Sequence, residues 1–435
     1  MKKFIYFIPI LVILLAPAAC TLDKIKGDRA AESALIDVVI TMPEDFEEYG
    51  LEGYTIEFRN NNIGFRYLRQ TNANGAVAQE LEFGSYQVMV KGEITTPGGK
   101  AAVSGQVQII FDAAFDRSKP LVIDASVNML SPIIISEFYG TGSTNALGVN
   151  FNRDRYIIIY NNSPDVQYLD GVGFGFHQTA NSIANPVNYT NADGTPWDSI
   201  PHGWGFIIPG SGTDHPMQPG GEAIFVLNAI DHTLTANAGP LFVNLARENV
   251  WALYRPDPPS ATTLQDAPQS PSNTAFSYLE GQGTMVALSN TSPALFIYKF
   301  EGLSATLDTY EKVALDYVKD GAVAGRSGGH VQFSPPGLTS LRVIKIPKEW
   351  VLDAVEVRQA GTFYKRFPAS LEAGSVFCPP SYSGVTLRRK VNEVLSAEYG
   401  FTVYQDTNNS EDDWISLESI PEADFVLHRP TLLER

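Results

Sequence analysis

The stretch Asp154-Arg-Tyr-Ile-Ile-Ile-Tyr-Asn-Asn-Ser163 decides the fold class. Its β-branched and aromatic side chains favour a β-strand. The apolar run continues through successive positions without alternation, so both faces of this strand are expected to be buried. A strand of this kind lies in the middle of a sheet that is covered on both sides. The sequence therefore predicts that residues 154–163 form the central strand of a large β-structure.

Further strand-like segments surround this central strand. They share apolar runs bounded by turn residues, and they comprise residues 133–139, 168–176, 205–209 and 219–227. The pattern predicts an all-β body over residues 132–435. Two long insertions, at about 178–201 and 255–277, lack periodicity and are predicted to be surface loops, where binding is expected. Residues 307–320 have the spacing of an amphipathic helix, and a pair of strands is the alternative.

A separate group of short strands precedes this body. About seven apolar runs alternate with turn residues between residues 34 and 128, which predicts a small β-sandwich. Within it the turn Thr71-Asn-Ala-Asn-Gly75 needs a glycine at positive φ, and a tight turn at Gly84 directs Tyr86 into the core. The chain is therefore predicted to be all-β, with a boundary at residues 128–132.

Two motifs resemble known families. Residues 71–75 (TNANG) with residues 83–90 (FGSYQVMV) resemble the carboxypeptidase regulatory-like, or transthyretin-like, sandwich, which in that family is an accessory module without catalytic residues. Residues 133–139, 155–163 and 219–227 resemble the lamin-tail domain, an immunoglobulin-like sandwich. Ile158 stands where that family usually has an acidic residue, so no role of such a carboxylate is carried over.

The first twenty residues have the pattern of an export signal. Lys2 and Lys3 precede an apolar run over residues 4–15, and small residues follow up to Ala19. This order predicts a signal peptide over residues 1–19. Cys20 then resembles the lipidated cysteine of a lipobox, with residues 20–33 as a tether. Pro17 replaces the leucine usual in that motif, so ordinary cleavage to a free soluble product is the alternative.

The chain as a whole resembles uncharacterised lipoproteins of Bacteroides-type bacteria. The lipobox-like start, both sandwich motifs and the phrase Ala229-Ile-Asp-His-Thr233 carry this resemblance. It implies an outer-membrane protein anchored by its lipid, on the cell surface or facing the periplasm, in the company of a TonB-dependent transporter. The predicted function is that of a non-enzymatic binding or adaptor component.

The composition excludes some functions and leaves others open. The formal net charge of −17 would repel phosphate backbones, so no nucleic-acid partner is expected. Cys378 lies among apolar residues and is predicted to be a buried strand cysteine rather than a nucleophile. The sequence has no zinc, phosphate-loop or serine-hydrolase motif, so the chain is predicted not to be an enzyme. A hydrolase with carboxylates that converge only in the fold is the third hypothesis.

Two polar groups are candidate ligand sites. Asp406, Asn408, Ser410 and Asp412 present alternate oxygen ligands that could wrap Ca²⁺, and otherwise no cofactor is predicted. The alternative is a turn in which these side chains bond to local backbone groups.

The second candidate site is a tryptophan in the first insertion. Trp197, with Asp193 and Asp198 beside it, could stack on a sugar, which makes a carbohydrate-binding lipoprotein with a glycan partner the second functional hypothesis. The alternative is that Trp197 pins its loop to the sandwich.

Overall fold

The computed structural model describes residues 32–97, 99–184, 189, 197–202, 204–208, 210–252, 269, 277–281, 288–299, 325–327, 330–332 and 344–433. Strands dominate these residues, and the helices among them are short. The prediction of an all-β sandwich fold is confirmed. The predicted signal peptide with Cys20, part of the first insertion, nearly all of the second, and the helix predicted over residues 307–320 lie outside the described residues.

The N-terminal sandwich comprises eight strands in two sheets. The strands are β1 Ser33–Thr41, β2 Thr55–Asn60, β3 Arg66–Gln70, β4 Ala76–Glu82, β5 Gly84–Thr96, β6 Gly99–Phe111, β7 Leu121–Asp124 and β8 Ser126–Met129. One sheet has the order β4-β1-β7 and the other the order β3-β2-β5-β6-β8. A 3₁₀ helix, Glu44–Tyr49, lies between β1 and β2.

Alternating side chains of this sandwich form one core. Ile36, Val38 and Ile40 of β1 face inward and pack with apolar residues of β2, β5 and β6. Gly75 has φ +69°, as the turn requires. Tyr86 is buried, as predicted, and its hydroxyl donates to the Glu82 carbonyl at 2.9 Å.

The C-terminal body contains the remaining described strands. They are β9 Ile133–Tyr139, β10 Ser143–Thr144, β11 Asn150–Phe151, β12 Tyr156–Asn161, β13 Gln167–Tyr168, β14 Val172–Phe176, β15 Ser199–His202, β16 Trp204–Ile207, β17 Pro216–Met217, β18 Glu222–Val226, β19 Val250–Ala252, β20 Ser277–Gly281, β21 Ala294–Lys299, β22 Gly325–Ser327, β23 His330–Gln332, β24 Ile344–Pro347, β25 Val351–Arg358, β26 Val376–Phe377 and β27 Leu387–Arg388. The two larger sheets have the orders β19-β18-β12-β9-β27 and β20-β16-β14-β21-β25-β26.

Strand β12 is buried on both faces, which confirms the prediction for this segment. Ile157 and Ile159 pack in a core cluster that includes residues of β14, β21 and β25 from the other large sheet. Tyr156 and Ile158 pack in a second cluster, with Val243 among its members, over the outer face. The unbroken apolar run is therefore required because β12 has a hydrophobic neighbour on each side.

The described helices of the C-terminal body are short, and both described α-helices begin at an asparagine cap. The α-helix Glu393–Tyr399 begins after Asn392, whose side chain accepts from Leu395 N–H, and ends at Gly400 with φ 77°. The others are the α-helix Ser410–Asp413 and the 3₁₀ helices His232–Leu234, Lys348–Trp350, Glu422–His428 and Thr431–Leu433. Among the described residues no helix is long and apolar enough to cross a membrane.

Candidate binding cleft between the two regions

Ion pairs join the N-terminal sandwich to the C-terminal body. The Glu411 carboxylate, on the helix Ser410–Asp413, accepts from the guanidinium groups of Arg59 and Arg66. Next to it, Lys91 Nζ donates to Asp412 Oδ2 at 2.6 Å. These contacts connect β2, β3 and β5 to one short helix of the other region. We call this set of ion pairs the joint.

Glu57 lies beneath the joint and balances its positive charge. Its side chain is 3% exposed and lies 2.8 Å from Lys91 Nζ and 3.1 Å from Arg59 Nη2. Burial alone would raise the pKa of Glu57, but the hydrogen bond from Lys91 and the charges of Lys91, Arg59 and Arg66 lower it below its ordinary value. Glu57 is therefore ionised at neutral pH and stabilises three cations that would otherwise repel one another.

A cleft of about 540 Å³ opens beside the joint, between the two regions. The β5–β6 hairpin contributes Glu93, Thr95 and Lys100, and the linker contributes residues 130–132. The C-terminal body supplies the wall opposite the hairpin. Because both regions line the cleft, its shape depends on how the regions are held together.

The C-terminal wall of the cleft comes from three segments. Residues 162–165 follow β12, Leu395 and Tyr399 lie on the capped helix, and Tyr404 and Asp406 follow that helix. The loop after β12 is tied to the last segment, because Tyr404 N–H donates to Asn162 Oδ1 at 2.7 Å and Asn162 Nδ2 donates to the Tyr404 carbonyl at 3.0 Å. This reciprocal pair holds the wall in a fixed geometry.

A second cleft of about 540 Å³ adjoins the first at Glu93, which lines both. It is lined by Lys91 of the joint, by hydroxyl groups that include Thr55 and Ser104, and by Lys390. Lys390 Nζ donates to the Asp412 carbonyl at 2.5 Å, so this lysine also stabilises the segment that carries the joint. The interface between the regions thus has a cleft with polar lining residues on each side of Glu93.

The charged groups of the first cleft are mostly acidic. Glu93 lies 3.9 Å from Lys100, and each of these side chains is 42% exposed. Partial burial raises the pKa of Glu93 above its ordinary value, and the nearby Asp406 raises it further, while Lys100 opposes both effects. Asp165 is exposed at the rim. The acidic groups thus outnumber the single lysine.

A buried arginine lies behind the cleft wall. Arg389 Nη2 lies 2.8 Å from both carboxylate oxygens of Asp353, and Arg389 Nη1 lies 3.1 Å from Asp406 Oδ1 and 3.4 Å from Asp413 Oδ2. The guanidinium also lies 5.5 Å from the ring of Trp414. Three buried carboxylates therefore share one positive charge, and we call these four charged residues the arginine cluster.

The acids of the arginine cluster hold their protons more tightly than ordinary carboxyl groups. Burial raises the pKa of Asp353 to about 7 and that of Asp413 to about 8, although Arg389 acts in the opposite direction on both. The same carboxylates raise the pKa of the Arg389 guanidinium, so it stays charged. Near neutral pH, protonation of Asp413 and in part of Asp353 leaves Arg389 balanced mainly by Asp406, so the buried cluster carries little net charge.

The four predicted calcium ligands have different partners. Asp406 accepts from Arg389, and Asp412 accepts from Lys91 and, at 2.8 Å, from Asn409 Nδ2. Ser410 donates from its backbone N–H and its hydroxyl to Glu372. Asn408 has φ 54°, and its carbonyl accepts from Ala373 N–H. The described residues contain no group of three or more His, Cys, Asp or Glu that could hold a metal ion.

The segment forms a turn in which Asn409 and Asp413, rather than the four predicted ligands, bond to local backbone groups. Asn409 Oδ1 accepts from Glu411 N–H at 3.1 Å, and Asp413 accepts from the backbone N–H of Thr407 and of Asn409. These bonds cap the helix Ser410–Asp413 and set the position of Glu411 in the joint. Binding of Ca²⁺ here stays a prediction, and it would have to displace Arg389 and Lys91.

Trp197 is not the exposed ring that a sugar-stacking role requires. It is 6% exposed and packs in a core cluster with Ile200 and Phe296, with its ring centroid 5.4 Å from that of Tyr189. The packing supports the alternative, that the ring pins its loop to the sheet. Burial of an aromatic side chain this large stabilises the fold.

The other residues singled out in the sequence differ in exposure, and two of them lie outside the described residues. The Asp198 side chain is 90% exposed and lies 2.8 Å from Lys348 Nζ. Asp193 and Cys20 lie outside the described residues. Cys378 is 1% exposed, which confirms the prediction of a buried cysteine, and burial raises the pKa of its thiol. A protonated, inaccessible thiol is a poor nucleophile.

Comparison with known proteins gives a family match over the middle of the C-terminal body. Residues 218–419 match the model of the family described as "Protein of unknown function (DUF4876)". This range includes the capped helix, the arginine cluster and the acidic side of the joint. No curated protein matches the sequence.

A solved structure has the same overall fold. It is the crystal structure, at 2.50 Å resolution, of a DUF4876 family protein from Bacteroides thetaiotaomicron VPI-5482. The TM-score is 0.50 with 24% sequence identity, and the match covers 88% of this chain and 94% of that chain. The two findings support an uncharacterised Bacteroides-type family, and because the structural match spans nearly all of both chains, the fold likeness includes both regions.

Sequence reasoning singled out Asp406 but missed the other residues that line the cleft. Glu93, Asn162 and Tyr399 belong to three elements that are far apart in sequence and meet only in the fold. One local signal was present: Asn392 and Gly400 bracket a helical segment as an N-cap and a left-handed C-cap. That signal would have located the helix, but not the hairpin that faces it.

Proposed function

We propose that this chain is a lipid-anchored binding component of the cell envelope, and that the cleft between its two regions is the ligand site. The observation that carries the proposal is the cleft itself: about 540 Å³, lined from both regions by hydrogen-bonding groups, tyrosine side chains and charges. Concave sites with a mixed lining at the junction of two regions are where small ligands are usually bound.

Anchoring by Cys20 belongs to the same proposal. The dilysine start, the apolar run and the small residues before Cys20 support export and lipidation. Each methylene of a buried acyl chain contributes about 0.8 kcal/mol, so two or more chains hold a protein at a bilayer. An outer-membrane location, on the cell surface and beside a TonB-dependent transporter, follows from the resemblance of the whole chain to envelope lipoproteins.

No observation favours catalysis over binding. Of the carboxylates that line the cleft, buried Asp406 pairs with Arg389, while Glu93 makes only a long contact with Lys100 and Asp165 is exposed at the rim. The glycan hypothesis based on Trp197 is not carried forward, because the ring is buried. A non-enzymatic binding role needs only the shape and charge of the cleft.

The ligand site is tested with a variant that fills the cleft. Thr95 is exposed and lines the cleft, so Thr95→Trp narrows it without touching a core. The matched control is Gln108→Trp, an exposed position at the other end of the same hairpin. In a fragment screen by ligand-observed NMR, hits should be lost in Thr95→Trp and kept in the control. Hits that are equally strong in both variants would refute the proposed site.

The anchor is tested by thiol chemistry on protein isolated from cells. The chain has two cysteines, and buried Cys378 should stay unreactive towards maleimide in the native state. A lipidated Cys20 cannot react either, so the native protein should take up no maleimide. The denatured protein should take up one maleimide, at Cys378. Uptake of palmitate label should be lost in Cys20→Ala. Native labelling at Cys20 would show that the chain is not lipidated.

A further inference from the structure

We propose that the cleft selects a ligand with a cationic group, a primary ammonium or a guanidinium, bound between its acidic side chains and its tyrosine rings. This inference rests on the proposed binding function and names its ligand class. The first step is the charge of the lining: Glu93, Asp165 and Asp406 are acidic, and Lys100 is the one basic residue among the described lining residues.

Lys100 compensates this charge only in part. Its Nζ lies 3.9 Å from Glu93 Oε2, at the limit of an ion pair, and both side chains are about as exposed as they are buried. A pair of this kind contributes little, because water competes for both partners. A ligand cation that displaces Lys100 therefore gives up almost nothing.

The wall behind the cleft presents no free positive charge to a ligand. Arg389 divides its donors among Asp353, Asp406 and Asp413, and also donates from Nε to the Ile135 carbonyl at 2.7 Å and from Nη1 to the Gln405 carbonyl at 3.0 Å. Its donors are thus fully used, yet three carboxylates surround one guanidinium. Arg389 therefore has no free donor for an anionic ligand, and the acids around it offset its positive charge at the wall.

Aromatic rings complete the site. Tyr399 and Tyr404 both line the cleft, and Tyr404 forms a T-shaped pair with Tyr160 with the ring centroids 4.8 Å apart. The faces of such rings attract ammonium and guanidinium groups but not carboxylates. Tyrosine rings and carboxylates together favour a positively charged ligand.

The charge preference is tested with three small molecules that share a phenol ring and differ in the charge of one group. Tyramine carries an ammonium group, 4-hydroxyphenylethanol a hydroxyl and 4-hydroxyphenylacetate a carboxylate on the same phenol. Titrations use the whole chain, followed by NMR or calorimetry at low salt. We expect tyramine to bind roughly tenfold more tightly than the alcohol, with no binding of the carboxylate. Tyramine binding should be lost in Thr95→Trp and kept in Gln108→Trp.

Charge variants identify the residues that give the cleft its preference for a cationic ligand. Replacement of both cleft acids, Glu93→Gln with Asp165→Asn, should reduce the affinity for tyramine to that of the alcohol. Glu398→Gln, which removes one negative charge from the same helix as Tyr399 but outside the lining, should leave the affinity for tyramine unchanged. Equal or tighter binding of the alcohol or the carboxylate, or no binding of tyramine at millimolar concentration, would overturn the inference. It would leave the binding function intact if other fragments still depend on Thr95.

Discussion

Arg389 and Asp353 form a bidentate ion pair in the interior of the C-terminal body, with both carboxylate oxygens 2.8 Å from Nη2. Both side chains are almost fully buried. Asp353 also accepts from Ile135 N–H at 2.7 Å, so this pair connects β25 to β9. The same arginine reaches Asp406 at the cleft wall, and the wall is therefore supported directly by a buried ion pair.

Replacement of Arg389 should destabilise the protein severely. Arg389→Met leaves three buried carboxylates without their cation, and loss of one partner of a buried ion pair costs roughly 3–5 kcal/mol. Arg389→Lys keeps the charge but cannot reproduce the fork that contacts Asp353 and Asp406 together, so an intermediate loss is expected. Denaturant unfolding measures the change.

A surface arginine gives the control for this prediction. Arg358 pairs with Glu418 and remains 25% exposed, so Arg358→Met should cost about 1 kcal/mol or less. Equal effects of Arg389→Met and Arg358→Met would show that the buried cluster does not support the fold.

Glu356 gives the clearest dependence of stability on pH. It is fully buried, and its Oε1 accepts from the backbone N–H of Arg366 and of Phe367. Burial raises its pKa to about 7, Glu372 raises it further, and Lys365 opposes the change. Because the folded state holds this proton more tightly than the unfolded chain, the stabilisation is complete below about pH 4.3 and is lost as pH rises to about 7.

Glu356→Gln should remove the loss of stability that Glu356 causes as pH rises. Glutamine stays neutral and keeps an oxygen for the two N–H donors, so the variant should lose less stability between about pH 4.5 and 7.5. At about pH 8 it should exceed the wild type by an amount on the order of 1–3 kcal/mol. Glu418→Gln is a control of opposite sign, because the hydrogen bond from Arg358 lowers the pKa of Glu418. Parallel pH curves for Glu356→Gln and wild type would contradict the prediction.

Trp197 should prove to be a core residue. Trp197→Ala removes a large side chain from the cluster that contains Ile200 and Phe296, and the expected cost is roughly 3–5 kcal/mol. Trp197→Phe should cost less, because it keeps an aromatic ring against Tyr189. Leu234→Ala, at a side chain that is 81% exposed, is the control and should be nearly neutral. A stable Trp197→Ala protein that loses glycan binding would restore the stacking hypothesis.

Local patterns predicted the parts of the fold that depend on burial. The run Tyr156-Ile-Ile-Ile-Tyr160 indicated a strand covered on both faces, and Gly75 indicated a turn with positive φ, because each signal lies within a few residues. Cys378 was recognised as buried from its apolar neighbours for the same reason.

The candidate site depends on distant residues and could not be predicted in this way. Arg59 and Glu411 meet across 352 positions, and nothing in either segment indicates the other. The oxygen-rich segment from Asp406 to Asp412 was ambiguous, since the same side chains suit a cation or a capped turn. The choice between these depended on Arg389 and Lys91, which lie elsewhere in the sequence.

The joint should make the coupling of the two regions sensitive to salt. Glu411 is 25% exposed and accepts from Arg59 and Arg66, so Glu411→Gln weakens both pairs while Glu57 still compensates the cations below. Each partly exposed pair contributes about 1 kcal/mol or less, and salt screens it. In calorimetry at about 50 mM salt, the variant should melt at a lower temperature or in two steps, and this difference from wild type should shrink at about 500 mM. Glu44→Gln, at an exposed position away from the joint, is the control and should melt like wild type at both concentrations. A difference that persists at high salt would mean that the regions are coupled by packing rather than by charge.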